Sequence, residues 1–426
     1  MKITRTSRLN ALTPGLILAL LLLSAGTSKT DQTSGTFLSL VPSATAQETT
    51  RAAVQEKTLG GTSQDVVATT TSRARVVLAG TFTEFSLPPG ALPQLMAASP
   101  DGSIYYTQAG SNKIGQIALP SSVDPGKLMV RDFPIPTANS FPEGIVVAPD
   151  GNVWFTEQYS HQIGRLEPKE GVITEFPTPT LNSGPVGITV GPDNNIWFTE
   201  AYSNKIGKLD PNNPEKMEEF SIPTAASAPL YITSGPDGAL WFVGVRSHKL
   251  GRIDPSSHAI VEYPMLTPKA GPTSLIVGPD NAIWVTELNA DKIARFDVKT
   301  RKFTDEIPIS SRKNGPRAGP GILVNGPDGN IWFTQMLGNQ ITRLNPKTKQ
   351  IHEFSAPSAP TLAQLTAVGE TTADTAKEAL LNAHINLKSG EELGPTGGPG
   401  GIVVSQDGTI WYTAMFSNKI ARLRVR

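Results

Sequence analysis

Gly191 to Pro211 reads GPDNNIWFTEAYSNKIGKLDP, and this stretch recurs along the chain. Each copy has an aspartate turn followed by a short run of aromatic and β-branched residues. An aspartate marks the seven copies: Asp101, Asp150, Asp193, Asp237, Asp280, Asp328 and Asp407. Successive markers lie 43 to 49 residues apart, except for a last interval of 79. A period of about 40–45 residues is typical of propeller blades and of helical arrays.

The pattern inside one copy favours the propeller. Four short apolar runs follow one another: Gly187–Val190, Ile196–Thr199, Lys205–Leu209 and Glu218–Pro223. Turn residues separate them, and Asp-Asn or Asp-Gly between two such runs is a strong hairpin signal because these residues tolerate positive φ. No apolar pattern of helical period is present. Each copy therefore predicts four antiparallel strands, named A to D here, and the chain predicts an all-β, seven-bladed β-propeller.

The recurring tryptophans suit packing between blades, because one blade cannot bury both of its faces alone. They are Trp154, Trp197, Trp241, Trp284, Trp332 and Trp411.

The order of the strands predicts how the ring closes. Thr81–Pro88 matches a D strand, but it precedes the first A strand. The chain ends in Ile420–Arg426, which matches a C strand. We therefore expect residues 81–88 to complete the seventh blade, in one domain over 81–426 with an insertion at 355–397. Closure of this kind protects the edges of the sheets.

The N-terminal segment has the features of an export signal. Lys2, Arg5 and Arg8 precede an apolar run at Gly15–Leu23, which is short for a membrane span. We assign residues 1–46 to export and processing, and the polar residues 47–80 to a flexible linker. The expected location is secreted or periplasmic.

The chain has no cysteine and a formal charge of zero, which argues against thiolate metal sites and nucleic-acid binding. We expect a monomer.

Two sets of variable residues share the end of the ring that carries the D–A and B–C connections. One set opens the A strands, each member directly after a proline: Gln94, Glu143, Val186, Leu230, Thr273, Gly321 and Gly400. The other ends the B strands: Gln108, Glu157, Glu200, Gly244, Glu287, Gln335 and Ala414. Each set is expected to form a ring near the mouth of the central channel.

The polar members of the B-strand set are candidate ligand-binding residues, together with Tyr159, Tyr202 and Arg246 in the following turns. Glu157, Glu200 and Glu287 could bind Mg²⁺ or Ca²⁺, because carboxylates are the ligands that these ions prefer. The alternative is that each glutamate pairs locally within its own blade.

Candidates for catalysis are few. Glu143 and His384 are the residues of suitable chemistry on the candidate face. His161 and His248 occupy a turn position that is asparagine in other copies, which indicates a turn role rather than a catalytic base. His384 lies in the insertion, which is either a lid over the channel mouth or a passive surface loop.

The repeat resembles the virginiamycin B lyase (streptogramin lyase) family over residues 81–426. The resemblance rests on Ala148–Glu157 and Gly326–Gln335, on the Asn-Lys-Ile-Gly segments and on Thr-Glu-Phe-Pro. It implies a seven-bladed propeller that opens a depsipeptide ester by elimination, with Mg²⁺ and a histidine base in a Glu-Pro-His tripeptide. None of the seven X-Pro-X tripeptides here has that glutamate or that histidine. The family's base is therefore missing from its expected place.

Three functions are compatible with these features of the sequence. The first is binding of a small-molecule or peptide-like ligand at the channel mouth without lyase chemistry. The second is a metal-dependent lyase (C–O elimination) or hydrolase with a rearranged site. The third is a platform for a protein partner in the cell envelope, because propellers host many unrelated functions.

Overall fold

The computed structural model describes residues 50–51, 55–67, 69–70, 79–118, 127–309, 318–357 and 398–425. These residues form seven four-stranded antiparallel blades around a central channel, with further strands at the outer rim. Strand A is innermost in each blade and strand D is outermost. Neighbouring A strands contact one another from β5 to β29 and back to β5.

The strands before the first blade are β1 (Thr50–Arg51), β2 (Gln55–Val67), β3 (Thr69–Thr70) and β4 (Ala79–Ser86). Blade 1 is β5 (Pro93–Ala98), β6 (Ile104–Gln108), β7 (Lys113–Ala118) and β8 (Lys127–Pro134). Blade 2 is β9 (Pro142–Val147), β10 (Val153–Glu157), β11 (Gln162–Glu167) and β12 (Val172–Pro177). Blade 3 is β13 (Pro185–Val190), β14 (Ile196–Glu200), β15 (Lys205–Asp210) and β16 (Asn213–Ser221).

Blade 4 is β17 (Pro229–Ser234), β18 (Leu240–Gly244), β19 (Lys249–Ile253) and β20 (Ile260–Pro264). Blade 5 is β21 (Pro272–Val277), β22 (Ile283–Glu287), β23 (Lys292–Asp297) and β24 (Lys302–Pro308). Blade 6 is β25 (Pro320–Asn325), β26 (Ile331–Gln335), β27 (Gln340–Leu344) and β28 (Ile351–Ser355). Blade 7 contains β29 (Pro399–Val404), β30 (Ile410–Ala414) and β31 (Lys419–Val425), with a 3₁₀ turn at Met415–Ser417.

The core lies between the blades, as the tryptophan pattern predicted. Trp154 and Phe176 of blade 2 pack against Ile188 and Phe198 of blade 3, and all four side chains are buried. The glycine of the C strand makes this packing possible. A Cβ atom on Gly207 of blade 3 would lie 2.1 Å from the Phe198 ring, so no larger residue fits there without moving that ring.

The predicted ring closure is confirmed. β4 pairs antiparallel with β31, from Ser86 opposite Lys419 to Gly80 opposite Val425. The N-terminal strand thus supplies the outermost strand of blade 7, and the two ends of the propeller are held together by backbone hydrogen bonds.

The prediction of a flexible linker over 47–80 is wrong for its central part. β2 pairs with β4 of blade 7 through residues 61–67 and with β8 of blade 1 through residues 55–60. Lys57 also donates to Asp132 at 2.6 Å. The polar composition of β2 suits this position, because most of its side chains face solvent while its backbone pairs with both blades.

The export segment 1–46 and most of the insertion, including His384, lie outside the described residues. Within the described ranges, no helix is long and apolar enough to span a bilayer.

Candidate functional site at the channel mouth

The residues before the A-strand prolines share an unusual backbone conformation at one end of the ring. All seven have φ between 47° and 59°. Four are glycines, for which this conformation is not strained. The others are Leu92, Phe141 and Ala228, and non-glycine residues with such φ cost energy that the surrounding structure has to support. The chain therefore enters every A strand through a constrained turn, which fixes the position of the residue after the proline.

The channel narrows to a cavity of about 140 Å³, lined by the middle of the A strands. A smaller space of about 20 Å³ lies nearer the mouth. The smaller space is lined by Gln94, Thr273, Gly321 and Gly400, which are four of the predicted A-strand ring. Tyr231 lines both spaces. The sequence therefore identified residues that surround the channel mouth.

Glu143 is the most unusual group of the A-strand ring. Its side chain is fully buried, and neither carboxyl oxygen is within good hydrogen-bonding geometry of a described group, although the Tyr231 hydroxyl lies close enough to act on it. Burial raises its pKa to about 8, and the Tyr231 hydroxyl acts in the opposite direction. Glu143 is therefore largely protonated at neutral pH, and a protonated carboxyl can donate a hydrogen bond.

Three tyrosines surround Glu143. The pKa values of Tyr159 and Tyr231 are raised by burial, and further by nearby groups that include the Glu143 carboxyl. Burial and the charge of Glu143 raise the pKa of Tyr202 to about 12. All three phenols therefore stay neutral at physiological pH. The Tyr159 hydroxyl also lacks a hydrogen-bond partner among the described residues.

Two buried glutamines add unpaired polar atoms. Both side-chain amide atoms of Gln158 and the Nε2 atom of Gln94 are without partners in the described part of the chain. The Gln158 backbone N–H bonds the Phe141 carbonyl at 3.2 Å, which holds it beside the start of blade 2. Buried polar groups are normally hydrogen-bonded, so several orphans around one mouth indicate a place where a ligand or ordered water completes the bonding.

An apolar cluster adjoins these polar groups. Its buried members are Leu92, Ala109, Phe141 and Met415, and its half-buried members are Tyr159, Met336 and Phe416. The rings of Phe141 and Tyr159 stack with centroids 4.7 Å apart. Apolar walls with a few polar groups are typical of small-molecule sites. Met336, Met415 and Phe416 were not singled out from the sequence, because their repeat positions carry other residue types in most blades.

The glutamates that end the B strands do not face the mouth. Glu157, Glu200 and Glu287 are fully buried, and each lies beside an acidic residue of the D strand of its own blade. Burial raises all three pKa values, to about 8 for Glu200 and about 7 for Glu287. The structure therefore places them in the local pairing that was the alternative, not in a ring at the channel mouth.

The two glutamines of the same set confirm this geometry. Gln108 donates to Asp132 at 2.9 Å, and Gln335 donates to Glu353 at 2.7 Å. Asp132 and Glu353 belong to the D strands of the same blades. The B strand is second from the channel, and these side chains extend outward along the blade.

The expected metal donors are therefore kept apart. Glu157, Glu200 and Glu287 belong to three different blades, and the described residues contain no group of three or more His, Asp or Glu side chains arranged to hold an ion. The donor set that the sequence suggested for Mg²⁺ or Ca²⁺ does not fit one ion.

The turn histidines have structural partners. The Nδ1 atom of His161 accepts from the Gly184 N–H at 3.2 Å, and that of His248 accepts from the Gly271 N–H at 3.3 Å. Their pKa values are lowered, mainly by burial. A neutral histidine that accepts through Nδ1 carries its proton on Nε2 and has no free lone pair with which to act as a base. Of the other candidates, Tyr202 and Arg246 have exposed side chains.

Comparison with known proteins supports one family. Residues 48–213, 124–318 and 216–426 match the model of the virginiamycin B lyase family. No curated protein sequence matches the chain.

Solved structures of streptogramin and virginiamycin B lyases are also similar to this chain. A structure described as streptogramin B lyase is 29% identical with a TM-score of 0.66, over 82% of this chain and 98% of that one. Virginiamycin B lyase from Staphylococcus aureus, in a catalytically inactive histidine-to-alanine form with quinupristin, is 30% identical with a TM-score of 0.64, over 81% and 99%. Hydrazine synthase of Kuenenia stuttgartiensis, 17% identical with a TM-score of 0.55 over 80% and 96%, shares the fold alone.

Proposed function

The chain belongs to the virginiamycin B lyase family, and we propose that it binds a small-molecule or peptide-like ligand at the channel mouth without the family's lyase chemistry. The observation that carries the proposal is the group of buried, unpartnered polar atoms on Gln94, Glu143, Gln158 and Tyr159. Gln94 lines the space nearer the mouth, and Tyr159 belongs to the apolar cluster that supplies a wall. Glu143 lies beside Tyr231, which lines both channel spaces. A ligand with both polar and apolar surface complements such a site.

The absence of lyase chemistry is proposed from the histidines. Elimination needs a base within reach of the proton that it removes. In the Staphylococcus aureus relative, replacing a histidine with alanine gives a catalytically inactive protein. Here His161 and His248 use Nδ1 to accept backbone hydrogen bonds, and His258 stacks on Phe220 with centroids 4.1 Å apart. His352 is a buried D-strand residue.

A metal-dependent lyase or hydrolase remains the alternative enzyme. It would need donors or a base from outside the described residues, such as His384. The described glutamates do not supply a common metal site.

Calorimetric titration with quinupristin tests the binding proposal. We expect wild type to bind it, and Phe141→Ala and Gln158→Ala to bind at least about tenfold more weakly, because they remove the apolar wall and a polar partner. Glu170→Ala, at an exposed turn on the opposite end of blade 2, is the matched control and should bind like wild type. Absence of binding, or equal binding by all variants, would reject the site.

We also propose that the chain is exported. The support is the pattern of Lys2, Arg5 and Arg8 before the apolar run at Gly15–Leu23. Expression of the full chain with a C-terminal tag in a bacterium, followed by fractionation and N-terminal sequencing, should give a shortened protein outside the cytoplasm. Recovery of an uncleaved chain in the cytoplasm would refute export.

A further inference from the structure

We propose that Glu143 selects the ligand by acting as a neutral acid, donating a hydrogen bond to an ester or amide oxygen of the molecule in the channel mouth. This inference rests on the proposed function and adds to it the chemical class of the group that is recognised.

The position of Glu143 is fixed by two neighbouring blades. Its backbone carbonyl accepts from the Thr107 hydroxyl of blade 1 at 3.0 Å. The next residue, Gly144, donates its N–H to Thr156 of blade 2 at 2.8 Å. A Cβ atom on Gly144 would lie 2.2 Å from the Val186 carbonyl oxygen of blade 3, so blade 3 also approaches closely. A side chain on such a rigid strand is suited to recognition, because little order is lost when the ligand binds.

Its surroundings differ from those of the three buried glutamates that end the B strands. Glu157 and Glu200 each accept from a nearby serine hydroxyl, Ser160 and Ser203 respectively. Neither the oxygens of Glu143 nor those of Glu287 have a serine partner in the described part of the chain, but Glu287 lies near Lys292.

Among the described residues, no cation acts on Glu143; the polar group beside it is the hydroxyl of Tyr231, a residue that lines both channel spaces. Leaving a buried polar group unpaired lowers stability. A bound acceptor oxygen would remove this cost for Glu143.

The surroundings keep the acid protonated. The titratable groups that interact with Glu143 are Tyr159, Tyr202 and Tyr231, and all three are neutral at physiological pH. Burial without a compensating cation raises the pKa of Glu143 to about 8. Below that pH the carboxyl can donate, and above it the group only accepts and repels a carbonyl oxygen.

The test is quinupristin binding by calorimetry at about pH 6.5 and pH 9 for wild type, Glu143→Gln, Glu143→Ala and the control Glu200→Gln. With a pKa of about 8, roughly one tenth of Glu143 is protonated at pH 9, so wild-type affinity should fall about tenfold. Glu143→Gln keeps an N–H donor, so it should bind within about threefold of wild type at the lower pH and lose the pH dependence. Glu143→Ala should bind weakly at both pH values, and Glu200→Gln should behave like wild type.

Comparing variants at each pH cancels any ionisation of the ligand itself. Equal pH dependence in wild type and Glu143→Gln would overturn the role of Glu143 while leaving the proposed function intact. Failure of wild type to bind at either pH would instead reject the proposed function.

A measurement without ligand tests the protonation state separately. The infrared difference spectrum between wild type and Glu143→Gln at neutral pH should contain the carbonyl band of a protonated carboxyl. Finding only carboxylate bands in that difference would overturn the inference.

Discussion

The residue at the B–C turn links each blade to the next. In six blades its side chain accepts a hydrogen bond from a backbone N–H just before the next A strand, at 2.7 to 3.3 Å. These residues are Asn112, His161, Asn204, His248, Asp291 and Asn418, and φ lies between 51° and 61° in all of them. Asparagine, aspartate and histidine tolerate this conformation best among non-glycine residues. The residue type at this turn is therefore determined by the positive φ of the backbone and by the need for a side-chain hydrogen-bond acceptor. Acid–base chemistry does not determine it.

Replacing His161 tests this explanation. His161→Asn should preserve the free energy of unfolding within about 0.5 kcal/mol and leave quinupristin binding unchanged, because Asn204 performs the same task in blade 3. His161→Ala loses the acceptor and should be about 1 kcal/mol less stable. Urea denaturation gives both values. Loss of binding in the stable asparagine variant would show that the histidine contacts the ligand.

A second feature at the scale of residues is the pair of neighbouring acidic side chains in blade 2, Glu157 and Glu175, whose surroundings differ from those of the equivalent acids in blades 3 and 5. In blades 3 and 5 the C strand begins with a lysine that bonds the D-strand glutamate, as Lys205 does to Glu219 at 2.7 Å. At the corresponding position, the start of its C strand, blade 2 has Gln162. No lysine at that position therefore compensates the negative charge of Glu157 and Glu175. Burial first, and then the charge of Glu175, raise the pKa of Glu157 well above 4.5.

Glu157→Gln should therefore stabilise the protein at alkaline pH. A carboxyl whose folded pKa is raised contributes stability that is complete below its unfolded pKa and is lost as the pH rises through the folded value. Gln108 and Gln335 show that glutamine can donate to the D-strand acid. We expect a gain of about 1–2 kcal/mol at pH 9 and little change at pH 4.5.

The reciprocal change, Gln335→Glu in blade 6, should destabilise at pH 9, since the C strand there also begins with a glutamine, Gln340. Denaturation curves at both pH values measure these effects. A Glu157→Gln variant that is less stable at pH 9 would contradict the destabilising role of the buried charge.

At the scale of elements, the repeat could be read from the sequence because its residues make the same local contacts in most blades. The Trp197 indole N–H donates to Asp193 at 3.0 Å, and the same bond recurs in blades 4, 5 and 6. Gly191 leaves room for that ring, since a Cβ atom there would lie 2.5 Å from it. Turn, strand and core contacts are thus encoded within about twenty residues.

Strand β2 and the B-strand glutamates were not predictable in the same way. The thirteen residues of β2 carry no apolar alternation, and β2 forms a strand because it pairs with the outer edges of the adjacent blades 7 and 1. The B-strand glutamates end their strands on the end of the ring that the sequence predicted. That each lies beside an acidic residue of strand D becomes visible only from the pairing of strands B, C and D. Both outcomes depend on tertiary partners, which local patterns do not contain.

Removing β2 tests its contribution as an element. A chain that begins at residue 79 keeps β4 but loses β2, and should be at least about 3 kcal/mol less stable, because it loses paired backbone along two blade edges. A chain that begins at residue 55 retains β2 and is the control. Denaturant midpoints measure the difference. Equal stability of the two chains would show that β2 does not hold blades 7 and 1 together.

At the scale of the whole molecule, ring closure and the proposed ligand site share the junction between blades 7 and 1. Blade 7 is completed by β4, and the turn before β31 lies beside the first blade's entrance, where Asn418 accepts from the Leu92 N–H at 2.8 Å. Leu92 and Met415 then form part of the apolar wall at the mouth. The seam between the chain's two ends therefore belongs to the proposed binding face, and loosening it should weaken binding as well as stability.

We propose that this family member binds a ligand at the channel mouth without lyase chemistry. The most direct test is to incubate the purified protein with quinupristin, with and without Mg²⁺, and to follow ring opening by liquid chromatography and mass spectrometry. We expect the ligand to bind and to be recovered with its ring intact, opening no faster than in the protein-free control. Ring opening above that control, lost when a single residue of this chain is replaced, would contradict the claim.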